Sequence, residues 1–306
     1  MERYSNLSFD ELHDLLETLY DRYNRTEFIE PDPISIPHSF ERAEDKEIAG
    51  FLAATIAWGN RKAIVKSARR MVEMMDNAPF DFTMGASEED LRPLLRYVHR
   101  TFNGQDFTDF ILALRGLCSR WGSVGEAVQG LYEREGSIER VLAEFRREFF
   151  EAEHCPHCEK HLSSIAKGAS CKRLNMYFRW FVRRDNRGVD FGLWQRIPTS
   201  ALYLPLDVHT GNMGRALGLL TRNANDWKAV AEITSISHAA FISTLTVHIY
   251  IDFHICQYIL LCFDGRVKIR ILFMRIRGRT DLPQHVFRDI ENVCSGSTVG
   301  FDICHY

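Results

Sequence analysis

The chain lacks the signatures of several large enzyme classes. It has no phosphate-binding Walker loop, no glycine-framed nucleophilic serine and no dinucleotide-binding glycine pattern. Nucleotide-driven and serine-hydrolase chemistry are therefore not expected. The opening residues, Met1 to Leu7, include Glu2 and lack an apolar core, so no secretory signal is expected. The eight cysteines, at 118, 155, 158, 171, 256, 262, 294 and 304, follow no regular spacing, which excludes a disulfide framework and a compact four-cysteine iron-sulfur loop. A reduced, cytoplasmic compartment follows. One long stretch without Lys or Arg exists, Ile236 to Phe263, with Asp252 as its single acid. His248, Asp252, His254 and Gln257 interrupt it, and Val247 to Ile255 alternates like a strand, so a buried β-prone segment is expected and a membrane span is not.

What is present is the material of a real core. The 306 residues are 45% hydrophobic and 26% charged, and a chain of this size buries about three-quarters of the surface its unfolded form exposes. From Asp10 to Tyr23, Leu12, Leu15, Leu16, Leu19 and Tyr20 recur at three and four residues behind Ser8, which predicts an amphipathic helix. Prolines 31, 33 and 37 break the pattern. Helical spacing resumes over 47–67 and 64–76, and again over 88–98, 106–121, 123–134 and 137–150, with Ser, Asp or Glu at most starts and Gly at several ends. No convincing alternating strand occurs before about residue 150. The expected fold class is all-α.

The net charge of -3 argues at first against a nucleic-acid partner. It conceals a strong asymmetry. Residues 1–159 carry 19 basic and 30 acidic groups, a net of -11, whereas residues 160–196 carry nine basic groups and two acids, a net of +7. Such a stretch can neutralise several phosphates, and its interleaved aromatics Tyr177, Phe178, Trp180, Phe181, Phe191 and Trp194 can stack on bases or fill the core. A solvated basic helix face above core aromatics is the plainer account.

Within that window lies Ala166-Lys-Gly-Ala-Ser-Cys-Lys172, a small-residue turn followed by helical spacing. A glycine turn lets backbone approach a phosphate, and the amides opening the next helix point donors at it. A lysine among other cations has its pKa lowered by like charge, and further by desolvation, which would make Lys172 a nucleophile. Asp207 follows an apolar run and precedes helical spacing at Val208, Met213, Leu217 and Leu220, a place where a carboxylate is stabilised as an anion and where a helix cap is the ordinary explanation.

Gly168-x-x-x-Lys172 followed by Pro205-Leu-Asp-Val-His209 resembles the helix-hairpin-helix DNA glycosylase superfamily, in which a glycine-rich hairpin ends in a catalytic lysine and a catalytic aspartate follows. A closer resemblance is to one branch, the bacterial domain-of-unknown-function family numbered 2400. It is carried by Asp32-Pro-Ile-Ser-Ile-Pro-His38, Glu47-Ile-Ala-Gly-Phe51, Ala57-Trp-Gly59, His99-Arg-Thr-Phe102, Ser170-Cys-Lys-Arg-Leu-Asn-Met176, Arg179-Trp180, Gly188-Val-Asp-Phe-Gly-Leu-Trp194 and Pro205-Leu-Asp-Val-His209. The resemblance covers about residues 28–235.

It implies a two-lobed helical unit over residues 1–235, with residues 44–190 as the lobe ending in the hairpin, and a nucleic-acid partner, DNA; no membrane partner is expected and no protein partner is inferable. It further implies base-excision repair chemistry. Lys172 would attack the sugar C1′ and form a Schiff base, which permits strand cleavage by β-elimination, while Asp207 would deprotonate that amine or steady the oxocarbenium-like charge. Gly168 would turn the hairpin against a phosphate, Arg173, Arg179, Arg183 and Arg184 would contact phosphates, and Trp58 or Trp194 would line a pocket for a flipped base. Arg179 beside Trp180 is alternatively a buried structural pair. His209 is given no chemistry.

Ser170 stands where these glycosylases have a second hairpin glycine, and the gap from Lys172 to Asp207 is longer than in most of them. Residues 236–306 lack the branch's usual continuation, and a frameshifted or replaced C-terminus is the expectation for them. Cys155-x-x-Cys158 with His161 has zinc-like spacing but no second CxxC nearby, so an ordinary loop and no cofactor are expected. Two functions stay open: a DNA glycosylase with lyase activity, and a non-catalytic nucleic-acid binder in which Lys172 is a phosphate contact and Asp207 a cap.

Overall fold

Residue patterning produces helices, with long connections over 150–171 and 183–207, and a computed structural model describes residues 9–240. The chain runs α1 (Phe9–Tyr23), α2 (Ser35–His38), α3 (Ala43–Thr55), α4 (Arg61–Glu73), α5 (Pro79–Gly85), α6 (Glu88–Leu91), α7 (Gly104–Trp121), α8 (Val124–Glu135), α9 (Ile138–Phe149), α10 (Lys172–Val182), α11 (Val208–Ala216) and α12 (Trp227–Ala240). The all-α expectation holds. Its strand content among the described residues is small: β1 (Val98–His99) pairs antiparallel with β2 (Phe102–Asn103), and Arg100 turns between them with φ 55°. A two-residue pair is too short to leave an alternating signature.

Local chemistry accounts for the boundaries. Asn103 and Asp106 form a reciprocal capping box at the start of α7, and Ser123 and Ser137 cap α8 and α9 by accepting from the amides of Glu126 and Arg140. The helical spacing read across 47–67 is broken at 56–60. Gly59 takes φ 100° and Asn60 caps α4 by accepting from the amide of Ala63, so a turn interrupts two helices that are in phase by coincidence. Ser8, expected to cap α1, lies outside the described residues.

The core is organised on α3 and α10. Every residue from Glu47 to Thr55 and from Leu174 to Val182 is buried, the pattern of helices covered on all sides. They meet closely at Gly50, where an added Cβ would lie 2.8 Å from the Phe181 ring, and Tyr177 donates to the carbonyl of Glu47 at 2.9 Å. Phe51, Phe110, Phe145, Phe149 and Tyr177 pack ring to ring around this crossing. The contiguous apolar cluster extends from Tyr20 to Ile233. No helix among the described residues is long and apolar enough to cross a membrane.

Candidate functional site

The turn before α10 brings a backbone corner and a lysine together. Gly168 has φ 75° with open space where a Cβ would stand, so glycine is needed there for its backbone conformation and not for packing. The carbonyl of Gly168 accepts from the amide of Trp227 at 3.0 Å, and Ala169 forms a bridge with Asp226, which pins the turn to the start of α12. Ser170 is not the second left-handed residue. That position is Cys171, at φ 49°, a buried non-glycine residue immediately before Lys172. Burial pushes its thiol up to about 12. No side chain caps the first turn of α10.

Lys172 Nζ lies 3.3 Å from Asp207 Oδ2, both side chains being about one-fifth exposed, at 18% and 25%. Asp207 is also the N-cap of α11: its Oδ1 accepts from the amides of His209 at 2.9 Å and Thr210 at 3.0 Å and from the Thr210 hydroxyl at 3.2 Å. Burial raises the Asp207 carboxyl, but the Lys172 ammonium and the Thr210 amide outweigh it and hold the group below its ordinary value of 3.8. Cap and ion pair thus use different oxygens of one carboxylate.

A second carboxylate lies in the field of Lys172. Asp32, at the head of the first motif, is buried and accepts from the amide of Ile34 at 3.0 Å. Burial raises its pKa against the opposing fields of Arg61, Arg179 and Lys172. In the sequence Asp32 stands only as part of a motif, and only folding brings it within the field of Lys172.

A family model described as "Protein of unknown function (DUF2400)" matches residues 32–241. The chain belongs to the DUF2400 family. No curated protein and no solved structure matches it.

Several residues expected at a DNA interface lie elsewhere in this DUF2400 protein. Arg183 is fully buried: its guanidinium bonds Asp190, lies 2.7 Å from Asp185 Oδ2 and donates to Asn24 Oδ1 at 3.3 Å. Arg179 is buried 3.6 Å from Asp190, so the structural alternative prevails for it. Arg173 lies over the Trp58 ring at 5.0 Å and donates to the carbonyl of Thr55, and burial lowers its pKa to about 10. Arg179 and Arg183 do not reach outward to a phosphate, and Arg173 is partly buried and engaged with Trp58 and Thr55. Arg184 alone of the four stays exposed.

Trp194 is likewise core, 1% exposed, with its indole N–H on the buried carboxylate of Glu47 at 2.9 Å. That excludes it as a wall of an open pocket. Trp58 is half-buried, and His161 stacks on it at 5.7 Å beside Arg173, so less of the ring is left for a base.

The trio Cys155, Cys158 and His161 does not assemble. Cys155 is exposed, whereas Cys158 turns into the core, where burial pushes its thiol up to about 12. His161 instead faces Asp106, and burial lowers its pKa to about 4.

The basic surface missed from the sequence is on α4. Lys62, Lys66, Arg69 and Arg70 are all exposed, and among the described residues none has an acidic side chain within ion-pair distance. The signal was available: residues 61–73 hold five cations against the single acid Glu73. It was lost inside a net of -11 summed over 159 residues.

Proposed function

We propose that this DUF2400 protein is a DNA-binding protein of the helix-hairpin-helix glycosylase kind, a base-excision N-glycosylase with lyase activity. The observation that carries this is the 3.3 Å approach of Lys172 Nζ to Asp207 Oδ2 at the starts of two helices 35 residues apart in sequence. A left-handed glycine turn and an uncapped helix N-terminus beside them supply backbone donors for a phosphate.

The chemistry follows from those two groups. Lys172 passes a proton to solvent water to become an amine, its nitrogen bonds to C1′, and the base leaves with the electron pair of the broken glycosidic bond and takes up a proton from water. Ring opening breaks the C1′–O4′ bond, with the nitrogen's proton passing to O4′, and gives the imine; loss of a C2′ proton to solvent then expels the 3′ phosphate with the electrons of the C3′–O bond. Asp207 stays ionised because its pKa is held low, which suits it to steadying positive charge on the sugar more than to carrying protons. DNA would be tracked by the α4 cations; Arg61 at the head of α4 and Lys172 both act on Asp32.

The rival reading, a non-catalytic binder, is favoured by one observation: Asp207 already has a structural task as the cap of α11. Borohydride trapping on a panel of lesions and abasic sites separates the two. A covalent DNA adduct is expected with the wild-type chain and none with Lys172→Ala or Lys172→Arg, the latter keeping the ion pair without the amine. Absence of any adduct, with salt-dependent DNA affinity that survives Asp207→Asn, supports the binder instead.

A further inference from the structure

The turn Pro156–His161 lies against α7 on an interaction that the Lys172–Asp207 pair does not use. Asp106, in the first turn of α7, is 0% exposed, and two imidazoles converge on it from that turn. His157 Nδ1 lies 2.7 Å from Asp106 Oδ1, and His161 Nε2 lies 3.2 Å from Asp106 Oδ2. One ligating atom from each of the three falls within 4.8 Å of the other two.

We infer that Asp106, His157 and His161 form a zinc site with three protein ligands and an open fourth position on the exposed side of His157. A tetrahedral zinc with ligand bonds of about 2.0–2.1 Å places its donors roughly 3.3 Å apart, within the range these atoms span. Two imidazole nitrogens and one carboxylate suit a borderline cation; magnesium and calcium call for oxygen ligands, six or more for calcium. The donors are held in place before any ion arrives. The Asp106 carboxylate is fixed by the capping box through the amide of Asn103 at 2.9 Å. The His161 ring is fixed by Trp58 at 5.7 Å and by Phe102 at 4.9 Å.

Without a cation, each ring donates the N–H that faces the carboxylate. Zinc takes the place of those two protons, and each imidazole stays neutral by carrying its proton on the outer nitrogen. That exchange identifies an opponent. Lys160 Nζ lies 2.6 Å from His157 Nε2, the outer nitrogen that must then carry a proton, and its charge repels the ion. Lys160 is exposed, and its stem can carry the ammonium away. A bound zinc would tie the turn to α7 and stabilise the fold by mass action.

The test is equilibrium dialysis of the full chain against Zn2+, with cobalt absorption as a readout of nitrogen-oxygen tetrahedral ligation and thermal unfolding with and without Zn2+. One equivalent is expected. His157→Ala, at an exposed position, should weaken binding about tenfold or more and abolish the Zn2+-dependent rise in Tm. Lys160→Ala should tighten binding several-fold, and Cys155→Ala should leave it unchanged. Zn2+ binding that is as tight in His157→Ala as in the wild type, or wild-type binding no stronger to Zn2+ than to Mg2+, would overturn the assignment. Neither outcome bears on the Lys172 chemistry.

Discussion

Two basic stretches in this chain look alike as sequence and are opposites as structure. The segment from Arg179 to Arg187 buries Arg179 and Arg183 against Asp190 and Asp185, while α4 leaves Lys62, Lys66, Arg69 and Arg70 in solvent. The first spends its cations on holding the loop after α10; the second leaves them available to a polyanion. The difference is readable in neighbours. Asp185 and Asp190 lie within seven residues of Arg183, whereas no acid interrupts residues 61–72. Between the extremes sits Lys172, half-buried and paired with Asp207. Substitutions along this gradient should change from effects on folding to effects on binding.

The largest effect belongs to the buried end. Arg183→Ala leaves the Asp190 carboxylate, itself 0% exposed, without its closest cation. Removing one member of a buried pair costs about 3–5 kcal/mol, much of it from the charge left behind. Urea unfolding should show that loss, and a loss under 1 kcal/mol would mean the arginine is not structural. The α4 end should behave in reverse. Lys66→Ala with Arg69→Ala should leave stability within about 0.5 kcal/mol. The same pair should lower the slope of log affinity against log salt by about 2, since each phosphate contact contributes roughly 0.9. Fluorescence anisotropy across a salt series measures it, and an unchanged slope would remove α4 from the DNA path.

These contrasts show what was legible beforehand. The all-α class and several helix starts followed from apolar spacing and from Ser caps, because those are local signals; the Asn60 and Asn103 caps were not read. Lys172 and Asp207 stood out because a turn, a lysine and a capping aspartate are each local too. Accessibility is not local. Whether Arg173 points at solvent or at Trp58 depends on where α3 ends relative to α10, and the Glu47 carboxylate that holds Trp194 is 147 residues away. The convergence of His157 and His161 on Asp106 was hidden for the same reason, since Asp106 lies more than 50 residues upstream of both. Residues 236–306, where a replaced terminus was expected, lie almost wholly outside the described residues, so that expectation stands apart from the fold.

The middle of the gradient has a pH signature. Asp207→Ala removes a cap and should cost about 0.5–2 kcal/mol at pH 7. Asp207→Asn keeps a capping oxygen and removes the charge, so its deficit isolates the ion pair. Because the folded pKa of Asp207 lies below 3.8, the carboxylate's contribution is fully present above that value and is lost as pH falls through the folded pKa. Wild type and Asp207→Asn should therefore differ in unfolding free energy near neutrality and converge below pH 3.8. Parallel curves throughout would show that the pair contributes nothing to stability.

The smallest effect is the sharpest comparison, because it sets two adjacent arginines against each other. Arg184 follows Arg183 directly, yet it is exposed, and its guanidinium donates only to the carbonyl of Gln195 at 3.3 Å among its hydrogen bonds in the described residues. No buried carboxylate depends on it. A hydrogen bond in solvent exchanges readily for water, so Arg184→Ala should shift stability by no more than about 0.5 kcal/mol. Its helix has ended at Val182, and the chain turns outward between the two residues, which is why one net charge of +7 could contain both a core arginine and a surface one. Measured side by side in urea, Arg183→Ala and Arg184→Ala should differ several-fold in cost. Equal losses would mean that the segment tolerates or rejects truncation as a whole, and that burial of the individual guanidinium does not decide which cation is structural.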